Sequence, residues 1–423
     1  MNKFLLTLAL PFIFTPLFAQ VYCGSMRYDT VVYPTVNTTS NVIYGWNYDL
    51  NNAMDTLKMD VYQPAGDTAH KRPLIIFAHG GSFIGGDKTN ADEVAFATQF
   101  AQRGYITASI NYRLGMGFPI NKTAAMSAVW RAVQDMKAAV RYFRKDAHTA
   151  NQYKVDTNYV FIGGYSAGAF IAVHYAYLNH SSDVPSAIDT TTLGGMEGNS
   201  GNPGYSTKIN AILNFAGAVG DTSWIRTSDV PMVTAQGNND GTVPYCSAML
   251  SVSGFQIMVV NGGGTMNIRC KHIGMVNPIH TYYGEDHCAS VGSSGCPAAN
   301  IDTTIIIASD FLYNQLGCTH PVLYTNNPTC TSGAGVNEIV LNSDNVSLYP
   351  NPASENINLT MNKVKGNKFS GEIHDITGRE VSRFNFSDKT YLIKRNGVQS
   401  GIYFLKITSD ANEVFVTKIL FAE

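Results

Sequence analysis

The apolar run Tyr159-Val160-Phe161-Ile162 empties into Gly163-Gly164-Tyr165-Ser166-Ala167-Gly168, and Ala169 to Leu178 continues as an apolar stretch suited to a buried helix. A strand that reverses into a helix across a single G-x-S-x-G must turn so sharply that side chains at Gly164 and Gly168 would collide with neighbouring backbone. Ser166 is then displayed at the tip of the turn as a candidate nucleophile. In a chain with 38 Gly among 423 residues the five-residue pattern alone is weak, and the strand before it and helix after it carry the weight.

A nucleophilic serine needs donors for the charge that develops on its substrate's oxygen. A second apolar run, Pro73 to Ala78, ends in His79-Gly80-Gly81-Ser82-Phe83, and the backbone N–H groups of Gly81, Ser82 and Ala167 are the candidate oxyanion hole. The serine also needs a base, and the base an acid to orient it. Pro231 to Gly237 reads as a strand, so Asp240, in the loop that follows, is the candidate acid; Asp221, after the strand-like stretch 209–215, is the alternative. Of the downstream histidines, His287 follows a strand-like stretch and a turn and is the candidate base. His280 alternates within the strand, and His272 falls on a polar helix face.

Strand-like runs at 74–78, 105–110, 159–163, 209–215, 231–236 and 277–283 alternate with helical patterns. That order predicts an α/β fold, a mainly parallel sheet with helices on both faces. A helix over 125–147 places Val129, Val133, Met136, Val140 and Phe143 on one stripe, and 30–62 supplies antiparallel opening strands. The long interval between Asp240 and His287 leaves room for an inserted hairpin or helix around 254–274.

These residues resemble the α/β-hydrolase superfamily, and within it carboxylesterases and acetylxylan or feruloyl esterase-like enzymes with H-G-G in the oxyanion loop. Asn111-Tyr112-Arg113-Leu114 and Asp135 in a D-x-x-A-A segment extend the likeness, which covers 42–318. The family commonly has a third glycine where this chain has Ser82, an exchange that keeps the backbone donor. The resemblance implies a Ser166, His287 and Asp240 triad acting through an acyl-enzyme, without cofactor or metal.

Residues 1–19 read as a secretory signal: Lys3, an apolar stretch too short to span a membrane, and cleavage after Ala19. Seven cysteines in an exported chain are expected to pair, with at least one left over. Proximity in sequence suggests Cys288 with Cys296 and Cys318 with Cys330, leaving Cys23, Cys246 and Cys270 to share one further bridge. Residues 20–318 form the expected catalytic domain, and 319–345 has linker composition. From 346 to 423 apolar and polar residues alternate between Gly- and Asn-rich turns, as expected of a small β-sandwich. Ser347-Leu348-Tyr349-Pro350-Asn351-Pro352, Asp375-Ile376-Thr377-Gly378-Arg379 and the final Val-x-Lys-Ile resemble the C-terminal sorting domain of bacterial type IX secretion. That likeness implies a secreted or surface protein of a Gram-negative bacterium, exported through the periplasm by that machinery, with no transmembrane anchor.

A net charge of −2 with 14% charged residues offers no basic patch for nucleic acid. The expected substrate is a carboxylic ester, small or polysaccharide-linked. The polar segment 179–205, read as a mobile, wet rim, favours short acyl groups such as acetyl or feruloyl. Phe83, Tyr165, Trp224 and Tyr245 flank the motifs and are candidate substrate contacts. Polyester depolymerases, lipases and serine peptidases share such a triad, and an inactive hydrolase fold used as a surface binding module is the alternative from another class.

Overall fold

The computed structural model describes residues 23, 26–117, 120–293, 295–319, 328, 330, 339–340, 345–375, 380–411 and 413–422. The signal segment 1–19 and most of the linker 319–345 lie outside these. The chain divides after Cys330 into two compact units.

The first unit contains β1 (Val36–Tyr48), β2 (Met54–Pro64), β3 (Arg72–Ala78), α1 (Ala91–Gln102), β4 (Ile106–Ile110), α2 (Lys122–His148), β5 (Val155–Tyr165), α3 (Ala167–Tyr177), β6 (Ala211–Phe215), β7 (Ala218–Val219), β8 (Met232–Gly237), β9 (Ser247–Val252), β10 (Phe255–Gly262), α4 (Gly263–Ile273), β11 (Ile279–Tyr282) and α5 (Asn300–Gln315). Eight strands form one sheet in the order β1-β2-β4-β3-β5-β6-β8-β11. The β1–β2 and β2–β4 pairs are antiparallel, and every pair from β4 to β11 is parallel. All seven residues of β3 are buried, as expected of a central strand covered on both faces. One face packs on α2, α3 and α4 through Met136, Val140, Ile171 and Met266; the other packs on α1 and α5 through Phe96, Phe100 and Phe311. Each such side chain, fully buried, contributes about 1.5–3 kcal/mol.

Asn121 caps α2 by accepting from Ala124 N–H at 3.0 Å. Arg113, leaving β4, meets Asp135 in the middle of the same helix: Nε donates to the carboxylate at 2.9 and 3.0 Å, and Ser200 Oγ donates to it at 2.6 Å. The pair is buried and hydrogen-bonded on all sides, which ties strand exit, helix and segment 179–205 together. That segment is accordingly not the free rim its polarity suggests. Gln134 Nε2 holds Gly195 O at 2.8 Å and Lys137 Nζ holds Met196 O at 2.7 Å, because its many carbonyls find partners along α2.

The second unit has β12 (Ile339–Val340), β13 (Val346–Tyr349), β14 (Asn356–Met361), β15 (Phe369–His374), β16 (Glu380–Phe386), β17 (Thr390–Lys394), β18 (Gly401–Ser409) and β19 (Glu413–Phe421). They form a five-stranded sheet, β12-β19-β18-β15-β16, and a three-stranded one, β13-β14-β17. Ile357, Leu359, Ile373, Leu405 and Ile419 are buried in a core of their own, as in a small all-β sandwich.

The cysteine pairing by sequence proximity needs correction. Cys288–Cys296 is bridged, but Cys318 pairs with Cys23 and Cys330 with Cys246, leaving Cys270 free and buried. The fold brings the Cα atoms of these distant pairs to 5.3 and 5.6 Å, which proximity in sequence cannot foresee. Among the described residues no helix is long and apolar enough to cross a membrane.

Candidate functional site

Ser166 stands between β5 and α3 with φ 53°, a region L residues rarely adopt. The neighbouring glycines account for this. A Cβ on Gly168 would lie 1.7 Å from Ala78 O, and one on Gly164 would lie 2.3 Å from the same oxygen. The elbow is thus pressed against the end of β3 by backbone alone.

The loop leaving β3 comes back beside the serine, since a Cβ on Gly80 would sit 3.3 Å from Ser166 Cβ. Gly81 has φ 117°, with Gly85 O where its Cβ would be, and Ser82 and Phe83 have φ of 54° and 59°. His79 pins the loop. Its Nδ1–H donates to Gly80 O at 2.7 Å, its ring stacks on Tyr112 at 4.4 Å, and Tyr112 Oη donates to His79 O. Burial lowers the His79 pKa, so the ring is neutral. The N–H groups of Gly81, Ser82 and Ala167 donate to no described residue, and the side chains of Ser82 and Ser166 line one hollow.

Asp240 and His287 follow the ends of β8 and β11, the two outer parallel strands on this side. His287 Nδ1–H donates to Asp240 Oδ2 at 2.8 Å, and Nε2 is left to accept from Ser166 Oγ–H at 2.9 Å. The Asp240 side chain is fully buried and that of His287 mostly so. Asp221 is elsewhere, accepting from Ser223 N–H in a 3-10 turn. His272 is exposed on α4, and His280 lies within β11 against Tyr282.

Two residues that sequence reasoning did not single out hold this half together. Gln236, inside β8, donates from Nε2 to Asp240 Oδ2 at 3.1 Å and to Val243 O at 2.9 Å, and its Oε1 accepts from Gly263 N–H at 2.9 Å. Asp286 accepts from Gly241 N–H at 2.8 Å and His287 N–H at 2.7 Å, joining the acid loop to the base loop. A glutamine within the strand-like run Met232 to Gly237 is the local signal that could have found Gln236.

The aromatic candidates separate. Phe83 lines the hollow beside Ser166, and Trp224 lines an adjoining apolar chamber. Tyr165 instead packs on His287, ring centroids 4.9 Å apart, with Oη donating to His287 O at 3.3 Å. Tyr245 is buried with its hydroxyl bonded to Thr281 Oγ1, a structural contact rather than a pocket wall. The one cluster of possible metal ligands among the described residues is Glu372, His374 and Glu380 in the second unit. Arg383 already pairs with both of its carboxylates, at 3.1 and 2.6 Å, and supplies the positive charge there.

The BD-FAE family matches residues 59–221, and the secretion system C-terminal sorting domain matches 347–422. Gut esterase 1 of Caenorhabditis elegans is 32% identical over 116 residues, 27% of this chain and 20% of that protein. Carboxylesterase 3B of Mus musculus is 32% identical over 147 residues, 33% of this chain and 24% of that protein. The chain therefore spans about a fifth to a quarter of the curated relatives it matches. Among solved structures, Thermogutta terrifontis esterase 2 phosphorylated by paraoxon aligns with TM-score 0.47 at 22% identity, over 66% of this chain and 94% of that one. A truncated carbohydrate esterase from gut microbiota aligns with TM-score 0.48 at 19% identity, over 68% and 98%. The stretch matched by BD-FAE holds Ser166 and the glycine loop, whereas Asp240 and His287 lie beyond it. By these matches residues 59–221 are similar to BD-FAE and residues 347–422 to the secretion system C-terminal sorting domain.

Proposed function

We propose that the chain is an exported serine hydrolase of carboxylic esters. The observation that carries this reading is the continuous chain of hydrogen bonds from Asp240 through His287 to Ser166 beside unengaged loop N–H groups. The similarity to BD-FAE and to esterases supports it. In this reading Ser166 Oγ attacks the ester carbonyl while its proton passes to His287 Nε2, and Asp240 stabilises the imidazolium. The carbonyl oxygen, now negative, accepts from the N–H groups of Gly81, Ser82 and Ala167. As the ester C–O bond breaks, Nε2 returns the proton to the departing alcohol and an acyl-serine remains. Water then gives a proton to Nε2 and attacks the acyl carbon, and the acid leaves as Ser166 regains its hydrogen.

The sorting domain supports export, to the medium or the cell surface, through type IX machinery that reads this C-terminal unit. Intact hydrogen bonding at Ser166 disfavours an inactive binding module, since a binding surface gains nothing from a strained serine. The test is release of p-nitrophenol from short-chain esters by the purified full chain and by Ser166→Ala. The variant is expected to lose about 10⁴-fold or more in kcat with an unchanged melting temperature. Equal rates for the two proteins would refute the reading.

A further inference from the structure

A second chamber adjoins the hollow at Ser166. Ala125, Val129, Phe170 and Leu250 line both, and the second lies between α2, α3 and the β9–β10 hairpin. The second chamber has a cavity volume of about 60 Å³. Phe170, His174 and Leu178 follow one another at four-residue spacing on the same face, so the chamber runs along α3 away from the serine. At 1.5 Å per residue, Ser166 to His174 is about 12 Å and Ser166 to Leu178 about 18 Å. Trp130, Val133 and Met126 of α2 form the opposite wall, and Ile257, Met258 and Val260 of the hairpin, with Trp224, close it.

The chemistry of these walls is uniform. No Asp, Glu, Lys or Arg lines the chamber, and its one titratable side chain, His174, is buried. The His174 Nδ1–H donates to Phe170 O at 2.8 Å, and burial holds its pKa down at about 4, so the ring carries no charge at neutral pH. A sugar or a free carboxylate entering here would lose its hydration without replacement. An extended hydrocarbon gains contact on every side, whereas an acetyl group would leave the space unfilled.

We propose that this chamber is the acyl site for medium-length, unbranched acyl groups, so that octanoyl esters are better substrates than acetyl esters. The inference rests on the ester hydrolase reading and sharpens it: the expectation of short acyl groups came from the polarity of 179–205. That segment is strapped to α2, and its Pro185 and Ile188 face the chamber.

The experiment is kcat/KM of the full chain on p-nitrophenyl acetate, butyrate, octanoate and palmitate, for the parent, Ser166→Ala, Met258→Trp and Met258→Ala. Met258 lines the distal chamber and not the hollow at Ser166. The expected result is a parent preference for octanoate over acetate. Met258→Trp should lose about tenfold or more on octanoate while its acetate rate stays within about twofold. Met258→Ala, which frees space, should keep octanoate turnover. A serine-dependent parent that favours acetate, or a Met258→Trp that loses equally on all esters, would overturn the chamber's role and leave the ester hydrolase standing. No serine-dependent release from any ester would overturn both.

Discussion

The two halves of the candidate site are built by different means. On the nucleophile side, Ser166 and the 79–83 loop are set by close backbone contact, with glycines where Ala78 O and Gly85 O leave no room for a Cβ. On the acid–base side, Asp240 and His287 hang from separate strand ends and are aligned by side-chain hydrogen bonds from Gln236 and Asp286. The first arrangement is rigid because atoms exclude one another; the second is held by bonds that can be removed one at a time. The BD-FAE match ends at residue 221, so it covers the first half and not the second.

The comparison can be broken most severely at Asp240. Asp240→Asn preserves shape but removes the charge that, in the proposed mechanism, orients and stabilises the imidazolium, and kcat should fall by about 10⁴-fold with little change in melting temperature. Steady-state kinetics alongside calorimetry would check both. Gly168→Ala should do the opposite. With Ala78 O at 1.7 Å from the added carbon, the elbow must shift, costing more than about 3 kcal/mol, read as a drop in the denaturant midpoint. If Gly168→Ala were as stable as the parent, backbone exclusion would not be what sets the nucleophile.

Gln236→Leu sharpens the contrast at intermediate strength. Loss of a hydrogen bond to a charged acceptor should lower kcat by roughly tenfold to a hundredfold. The pH profile should shift with it, which a purely structural role would not produce. The smallest effect concerns acid. The His174 pKa is lowered to about 4 in the fold, and burial also lowers that of His79, so the unfolded chain binds these protons first. Stability is complete above the unfolded value near 6.5 and declines as pH falls from there towards about 4. His174→Phe should flatten that decline in a series of thermal melts.

What could be read in the sequence divides along the same line. The strands, the crossover helix at α2 and the elbow are legible because apolar runs and glycine spacing are local properties. The hairpin β9–β10 and α4 also show, as excess length between Asp240 and His287. Chain order singles out Asp240 and His287 because each follows a strand end, yet beyond the presence of a glutamine within β8 nothing local marks Gln236, and nothing local marks Asp286, as their supports. Such supports depend on contacts as far as 27 and 45 positions apart, which exist only once the chain has folded. Bridges from Cys23 to Cys318 and from Cys246 to Cys330 were hidden for the same reason. Tyr165 and Tyr245 stand near the motifs in sequence, whereas their hydroxyls bond to His287 O and Thr281 Oγ1.

The Cys246–Cys330 bridge also decides where the polypeptide can be divided. A single peptide-bond cut between Cys318 and Cys330 would leave everything downstream covalently tethered to the β8–β9 loop, so the sorting domain would stay attached until that disulfide was reduced. Only a cut beyond Cys330 frees it in an oxidising compartment. Were a protease to cut the chain, the fragment sizes seen with and without reductant would reveal on which side of the bridge it had worked.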